Sequence, residues 1–107
     1  MIIHKNLSLV LALATLATWQ VPPASADDKT DCDNYANRAV AQYNQMTSHA
    51  NSTKAPRCQV KDSPRWQPNF SNHYDWCMTN VAAHREWLAS ESGARQVHLA
   101  NDCIGPK

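Results

Sequence analysis

Side chains that could contact a ligand are concentrated in one short segment of this chain. Residues 64–77 hold two tryptophans, two other aromatic residues, one arginine and one histidine within 14 positions. Tryptophan rings offer flat faces to sugars or aromatic side chains, and polar neighbours supply hydrogen bonds. The predicted ligand-binding residues are Arg65, Trp66, His73, Tyr74 and Trp76, with Asn72 as a further hydrogen-bonding group. The competing interpretation is packing, because in a small domain these rings would also cover the helices and shield a disulfide.

The histidines suggest a second kind of site, a metal site. His73 and Cys77 are four residues apart, so on a helix they would share one face and could hold zinc or copper. Such a site would need a reduced cysteine, and neither a C-x-x-C nor an H-E-x-x-H pattern is present. We therefore predict no bound metal and no cofactor, with the histidines at the surface or at helix ends.

No pattern of a catalytic nucleophile stands out in the sequence. The chain has no G-x-S-x-G motif, and a sulfur held in a disulfide is not a nucleophile. Carboxylates such as Asp75, Glu86 and Glu91 would meet only through tertiary contacts. We predict no catalytic residue and favour a non-catalytic module that binds an unknown protein or a cell-envelope ligand. The alternative is a small periplasmic metal-handling protein or hydrolase that uses His73 or His84.

A first helix is predicted over residues 31–49. Apolar or small side chains recur there at helical spacing and form one stripe, made of Cys32, Tyr35, Ala36, Ala39, Val40, Tyr43 and Met46. Thr30 or Asp31 can cap this helix. Residues 49–70 contain three prolines among polar residues, which predicts an irregular connection that Cys58 tethers near its middle.

A second helical region is predicted from Ser71 or Asn72 onwards, and Ile104, Gly105 and Pro106 are predicted to end it with a glycine and proline stop. Asp75 falls in its first turn if Asn72 is the cap, where a negative charge suits the helix dipole. Glycine disfavours helix by about 1 kcal/mol relative to alanine. We therefore expect at least one break in this region, near Asn80 or Gly93.

The two helical regions together predict a mainly α fold. The expected architecture is a small disulfide-stapled helical hairpin or three-helix domain with a long irregular aromatic loop laid across it. Glu91 precedes Arg95 by four residues in the second region, which is the spacing of an ion pair on a helix surface.

Four cysteines, Cys32, Cys58, Cys77 and Cys103, predict two disulfides, and three pairings are possible. One unbroken helix from Cys77 to Cys103 would separate their ends by roughly 39 Å, against the roughly 6 Å that a disulfide spans. In an antiparallel arrangement the start of the first helix lies beside the end of the last. We therefore predict Cys32–Cys103 and Cys58–Cys77. An alternative pairing, which joins Cys32 to Cys77 and Cys58 to Cys103, stays open if the second region bends sharply.

An export signal is predicted at the start of the chain. Residues 1–26 combine Lys5, an apolar run over residues 7–19 and the small residues Ala24, Ser25 and Ala26 before a cleavage point. The run of about 13 residues is shorter than the roughly 20 that span a bilayer, so we expect no stable membrane insertion after cleavage. The predicted localisation is periplasmic or secreted.

Cleavage would leave a single domain over residues 27–107. This part carries nine acidic and nine basic residues, because Lys5 is lost from the ten basic residues of the whole chain. A balanced charge with no long run of one sign argues against nucleic acid or an anionic membrane as a partner. Domains of this size gain little from their core, so the disulfides are expected to supply much of the stability.

The cysteines and their neighbours follow a pattern that spans nearly all of residues 27–107. It reads Cys32-x2-Tyr35-Ala36-x2-Ala39-Val40-x-Gln42, then Cys58, Arg65-Trp66, His73-Tyr74-x-Trp76-Cys77 and Glu91-x3-Arg95-x3-Leu99-x3-Cys103. The pattern resembles a small exported bacterial four-cysteine domain whose function is not established. This resemblance implies a bacterial periplasmic or secreted setting and a mainly helical domain, and it transfers no catalytic residue.

Overall fold

Three α-helices make up most of the computed structural model, which describes residues 25–53 and 55–104. Helix α1 covers Ala26–Thr53, α2 covers Phe70–Asn80 and α3 covers Glu86–His98, which continues as a π-helical segment over Leu99–Ile104. The mainly α, three-helix fold with two disulfides is therefore confirmed. The predicted break lies at residues 81–85, next to Asn80, while Gly93 lies within α3. Residues 105 and 106, part of the predicted end of the helical region, are outside the described residues.

Helix α1 is longer at both ends than the apolar stripe predicts. The backbone N–H of Asp28 donates to Ser25 Oγ at 3.2 Å, and the backbone N–H of Ser25 donates to Asp28 Oδ2 at 3.0 Å. This reciprocal capping box satisfies two backbone donors at the helix start. The predicted cap at Thr30 or Asp31 is wrong, because both residues lie inside the helix. Residues 1–24 of the predicted export signal lie outside the described residues.

Helix α2 begins at Phe70, one residue before the earliest predicted start. Asn69 occupies the cap position in an extended conformation but makes no side-chain capping bond. Asn72 instead donates from Nδ2 to Gln67 Oε1 at 3.4 Å, so its side chain contacts the loop rather than the helix start. Because the helix begins early, Asp75 falls in its second turn and the prediction of a first-turn acid is wrong.

The chain reverses direction at residues 81–85, so that α3 runs alongside α1 in the same direction. Arg85, at the start of α3, forms ion pairs with Asp28 and Asp31 in the first turns of α1. Further along both helices, Gln42 Nε2 donates to the carbonyl of Ser92 at 3.1 Å and to Gln96 Oε1 at 3.3 Å. Helix α2 packs antiparallel to α1, and α2 with α3 forms a hairpin on the long first helix.

The two disulfides join Cys32 to Cys77 and Cys58 to Cys103, with Cα atoms 5.5 and 4.7 Å apart. The predicted pairing of Cys32 with Cys103 and Cys58 with Cys77 is therefore wrong. It assumed that the last helix returns towards the start of the first. The reversal at residues 81–85 instead carries Cys103 to the far end of α1, where Cys58 lies.

Each disulfide lies in its own small hydrophobic cluster. The Cys32–Cys77 cluster adds Tyr35 and Val81, and the Cys58–Cys103 cluster adds Met46, Trp66 and Leu99. All of these side chains are buried. Two short clusters fastened by covalent bonds fit the expectation that a domain of this size cannot depend on one large core. Over residues 25–53 and 55–104, no helix is both long enough and apolar enough to cross a membrane.

Candidate ligand-binding groove

A groove of about 600 Å³ opens between the loop after Cys58 and the α2–α3 hairpin. Its volume falls in the range of roughly 300 to 1,000 Å³ that is usual for ligand sites. The loop contributes Asp62, Pro64, Arg65 and Gln67. Helix α2 contributes three polar side chains and an indole, and α3 contributes a carboxylate. The groove-lining side chains that matter for its chemistry are Arg65, Gln67, His73, Asp75, Trp76 and Glu91. We call it the Trp76 groove.

Trp76 provides the aromatic surface of the Trp76 groove. Its indole stacks on the buried Tyr35 ring of α1, with centroids 5.4 Å apart and planes inclined by 28°. Tyr35 covers one face of the indole and does not itself line the groove. Because Trp76 is only half buried, the rest of the ring is left for a ligand, and stacking on Tyr35 fixes its orientation.

His73 lies behind the groove surface with 3% of its area exposed. Its Nε2 is 2.8 Å from the backbone carbonyl oxygen of Gln67. A carbonyl oxygen only accepts, so Nε2 carries the hydrogen and donates it. Burial lowers the pKa of His73 from its ordinary 6.5, the Gln67 carbonyl partly offsets this, and the charge of Arg95 adds to the lowering. The imidazole is therefore neutral at pH 7 and its Nδ1 has a free lone pair.

The buried neutral His73 predicts a loss of stability in mild acid. Because its pKa is lower in the folded chain than in the unfolded chain, its contribution is complete above about pH 6.5 and declines as the pH falls. We expect His73→Asn to show a smaller drop in free energy of unfolding between pH 7 and pH 5 than the unmodified protein, measured by urea denaturation. The ring proton of His73, followed by NMR in the unmodified protein, should titrate below 6.5. Titration above 6.5, or equal drops in both proteins, would contradict this account of His73.

Arg65 and Glu91, which both line the groove, form a bidentate ion pair. Arg65 Nε and Nη2 donate to the two carboxylate oxygens of Glu91 at 2.9 and 3.0 Å. The hydrogen-bonded carboxylate of Glu91 raises the pKa of Arg65 above its ordinary value. The predicted surface pair of Glu91 with Arg95 is therefore wrong, because Glu91 turns to the loop and Arg95 turns inward. The ion pair connects the loop to α3.

Arg95 supports the groove from behind and is completely buried. Its Nε donates to Gln42 Oε1 at 2.7 Å, and its Nη1 donates to the backbone carbonyl of Arg65 at 3.2 Å. The guanidinium carbon lies 5.1 Å from the centre of the Tyr35 ring, within the range of a cation–π contact. One guanidinium therefore holds the loop at Arg65 and the ring on which Trp76 stacks.

Three of the five predicted ligand-binding residues line the Trp76 groove: Arg65, His73 and Trp76. Trp66 does not, because it is buried in the Cys58–Cys103 cluster with its ring 5.2 Å from that of His98. Tyr74 lies elsewhere on α2 and stacks on Phe70 at 5.6 Å. For Trp66 the packing interpretation is therefore the better one, whereas Trp76 has a surface left for a ligand.

Several groove residues were missing from the predicted set, namely Asp62, Gln67, Asp75 and Glu91. The sequence predicts Asp75 as an acid of the first helical turn and Glu91 as an ion-pair partner of Arg95, and both are considered as catalytic carboxylates, but neither is predicted to bind a ligand. Gln67 was not singled out, although it lies between two predicted residues of the aromatic segment. Its Nε2 donates to the Ser63 carbonyl at 2.8 Å, so its position depends on a local loop turn that residue types alone do not predict.

Two histidines of the described part of the chain each lie beside one carboxylate, His84 beside Glu86 at 3.7 Å and His98 beside Asp102 at 3.0 Å. Within residues 25–53 and 55–104, no three or more His, Cys, Asp or Glu side chains are placed to hold a metal ion. His84 lies in the turn between α2 and α3, where it stacks on the exposed Trp87 with centroids 3.9 Å apart. It does not line the Trp76 groove.

The fold and the groove describe a small three-helix domain with two disulfides and a rigidly supported aromatic surface. No protein family, curated protein or solved structure matches this chain. The resemblance of its cysteine and aromatic pattern to a four-cysteine exported domain therefore stays a prediction. The functional argument depends on the chemistry of the groove itself.

Proposed function

We propose that this protein is a small exported binding module that holds a partner protein or a cell-envelope ligand in the Trp76 groove without catalysing a reaction. The observation that carries the proposal is the half-buried indole of Trp76, fixed on one face by Tyr35 and lining a groove together with Arg65 and His73. Large aromatic residues at a concave surface contribute much of the affinity of small binding proteins.

The polar groups around the indole are held in place before any ligand arrives. Arg65 is held by Glu91, His73 by the Gln67 carbonyl and the Gln67 amide by the Ser63 carbonyl. Side chains that are already ordered lose little conformational entropy on binding, so more of the contact energy appears as affinity. This arrangement favours recognition. Neither His73, engaged through Nε2, nor His84, stacked on Trp87, adds an observation that favours metal handling or hydrolysis.

We also propose that the protein works in the periplasm or outside the cell. Two buried disulfides fit an oxidising compartment, and the predicted export signal would deliver the chain there. The carboxyl end of that signal, Ser25 and Ala26, lies at the start of α1, where Ser25 is the cap. Cleavage after Ala26 would remove this cap and leave the ion pairs of Arg85 with Asp28 and Asp31 to hold the first turn.

The proposal is tested with a library of small sugars, amines, carboxylic acids and dipeptides, screened by amide chemical shifts of the ¹⁵N-labelled protein. We expect the compounds that bind to shift the amides of Gln67, His73 and Trp76. Trp76→Ala should weaken the best of them about tenfold, which is the expected loss of an aromatic stacking surface and its buried area. Trp87→Ala is the matched control, because it removes an exposed indole outside the groove.

Trp76 also packs in the Cys32–Cys77 cluster, so Asn72→Ala serves as a second groove variant that changes an exposed side chain. Both variants are first checked for a native amide spectrum. Compounds that bind around His84 and Trp87, or that keep their affinity in Trp76→Ala and Asn72→Ala, would assign binding to another surface and contradict the proposal.

A further inference from the structure

The charges that line the Trp76 groove are not balanced. Arg65 is neutralised by Glu91 through two hydrogen bonds, so neither charge is available to attract a ligand. Asp62 and Asp75 also line the groove, both are exposed, and neither carboxylate has an ion-pair or hydrogen-bond partner within the part of the chain that the structure describes. Two negative charges therefore remain at the groove.

The buried cation nearest to this site does not cancel those charges at the surface. Arg95 is fully enclosed behind the groove, where it is engaged by Gln42, the Arg65 carbonyl and the Tyr35 ring. A ligand in the groove meets the carboxylates and the indole, and it does not meet this guanidinium. His73 adds no charge at pH 7, because its imidazole is neutral.

Among the described residues that line the groove, none offers an unpaired positive charge to a negatively charged ligand. Such a ligand would have to displace Glu91 from Arg65, which breaks two hydrogen bonds between charged groups. A metal cation would need three or more ligands placed together, and the described residues provide no such group. An organic cation needs neither the displacement of Glu91 nor a group of three metal ligands. It can place its charge beside a carboxylate and its carbon chain on an aromatic ring.

Resting on the proposed function, we propose that the Trp76 groove binds an ammonium group carried on an alkyl chain, such as a lysine side chain of a partner or a free alkylamine. The chain lies on the open surface of Trp76, and the ammonium group lies between the ring and the carboxylates of Asp62 and Asp75. Tryptophan is the best of the aromatic side chains for such a contact. This selects the ligand by charge and shape together.

Three blocked amino acids with comparable side chains serve as probes: Nα-acetyl-lysine methylamide, its norleucine counterpart and its glutamate counterpart. Each is titrated into the ¹⁵N-labelled protein at pH 7. We expect the lysine compound to shift the amides of Gln67, His73 and Trp76 and to bind at least about fivefold more tightly than the norleucine compound. The glutamate compound should cause no shift at these amides. n-Butylamine is a further probe that shows whether the peptide groups add affinity.

Asp62→Asn and Asp75→Asn should each weaken the lysine compound about two- to fivefold, the range of an exposed charge pair. Asp62 has a positive φ of 56°, which asparagine also adopts readily, so this substitution removes charge without straining the loop. Glu86→Gln is the matched control, because Glu86 is exposed and does not line the groove. Raising the salt concentration should weaken the lysine compound and leave the norleucine compound unchanged.

Equal binding of the lysine and norleucine compounds, or tighter binding of the glutamate compound, would overturn the inference and leave the groove a binding site of another kind. Lysine binding that survives both Asp62→Asn and Asp75→Asn unchanged would also overturn it. If none of the probes shifts a groove amide, the preference for ammonium groups is wrong. The fragment library, which contains sugars and acids as well as amines, then decides separately whether the groove binds anything.

Discussion

Replacing Cys58 and Cys103 together with alanine is expected to lower the free energy of unfolding by about 4 kcal/mol. The bond closes a loop with a sequence separation of 45, and in the chain-entropy model a loop of that length restricts the unfolded chain by about this amount. The total stability of a domain of this size is only a few kcal/mol, so this loss is comparable to all of it. Urea denaturation should therefore show a chain that is largely unfolded near 37 °C.

The same loop length applies to Cys32–Cys77, whose sequence separation is also 45. The two bonds should therefore make equal entropic contributions to the free energy of unfolding. A difference in that free energy between the two double variants would measure how differently the two hydrophobic clusters depend on their disulfides. Cys58–Cys103 fastens the loop that carries Arg65 and Gln67. Removal of Cys58–Cys103 should also speed hydrogen exchange at the backbone amides of residues 62, 63 and 65–67, and it should do so more than removal of Cys32–Cys77. A loss of under 1 kcal/mol for either pair would contradict the expected role of the disulfides.

The pairing itself can be read directly from a tryptic digest without reduction. Cleavage after lysine and arginine places the four cysteines on four separate peptides, covering residues 30–38, 58–61, 66–85 and 96–107. We expect a mass that joins the first to the third and another that joins the second to the fourth. A mass joining residues 30–38 to 96–107 would show the nested pairing that the sequence predicts and contradict the structure.

The sequence predicts the helices well because their signals are local. The apolar stripe from Cys32 to Met46 and the prolines of the loop depend only on near neighbours, and both regions are helix and loop as expected. The disulfide pairing, in contrast, depends on one feature of the fold, the reversal of chain direction at residues 81–85. The break near Asn80 was predicted, but nothing local shows whether the chain turns back or continues in line. A single turn therefore decided both disulfides.

The groove was partly predictable, because some of its residues are near one another in the sequence and others meet only through the tertiary fold. Arg65, His73 and Trp76 belong to one conspicuous segment, so their nearness follows from the chain itself. Trp66 belongs to that segment too, yet its ring is buried against Leu99 and Cys103 of the distant π-helical segment. Two tryptophans in one segment thus have different roles, and only the tertiary fold separates them. Glu91 enters the groove from α3, 26 positions beyond Arg65, where no pattern in the segment could point to it.

Arg95 shows what helical periodicity can and cannot say about a charged residue. It lies at helical spacing from Leu88 and Leu99, in one stripe with them, whereas its four-residue spacing from Glu91 predicts an ion pair on the helix surface. An arginine in such a stripe usually extends its charged end back to water. Here its acceptors are 53 positions away, at Gln42, and 30 positions away, at the Arg65 carbonyl. Burial of the charge therefore depends on partners that only the folded chain assembles.

Arg95→Ala is expected to cost about 3 to 5 kcal/mol of stability, because it leaves a cavity and two buried acceptors without donors. Arg95→Lys keeps the charge but cannot donate to Gln42 and Arg65 in the same fixed geometry, so we expect an intermediate loss. Arg38→Ala is the control, since Arg38 is an exposed arginine on α1, and substitutions of that kind stay within about 0.5 kcal/mol. Urea denaturation measures all three variants.

A second measurement separates support of the Trp76 groove from general stability. The guanidinium holds both the Arg65 carbonyl and the Tyr35 ring under Trp76. In Arg95→Lys, under conditions where the chain remains folded, the amides of Arg65 and Trp76 should therefore shift more than those around His84 and Trp87. If Arg95→Ala costs less than 1 kcal/mol, or if the shifts in Arg95→Lys spread evenly over the chain, Arg95 does not organise the groove. A concentrated shift would mean that one buried side chain, remote from solvent, sets the shape of the surface that we propose binds a ligand.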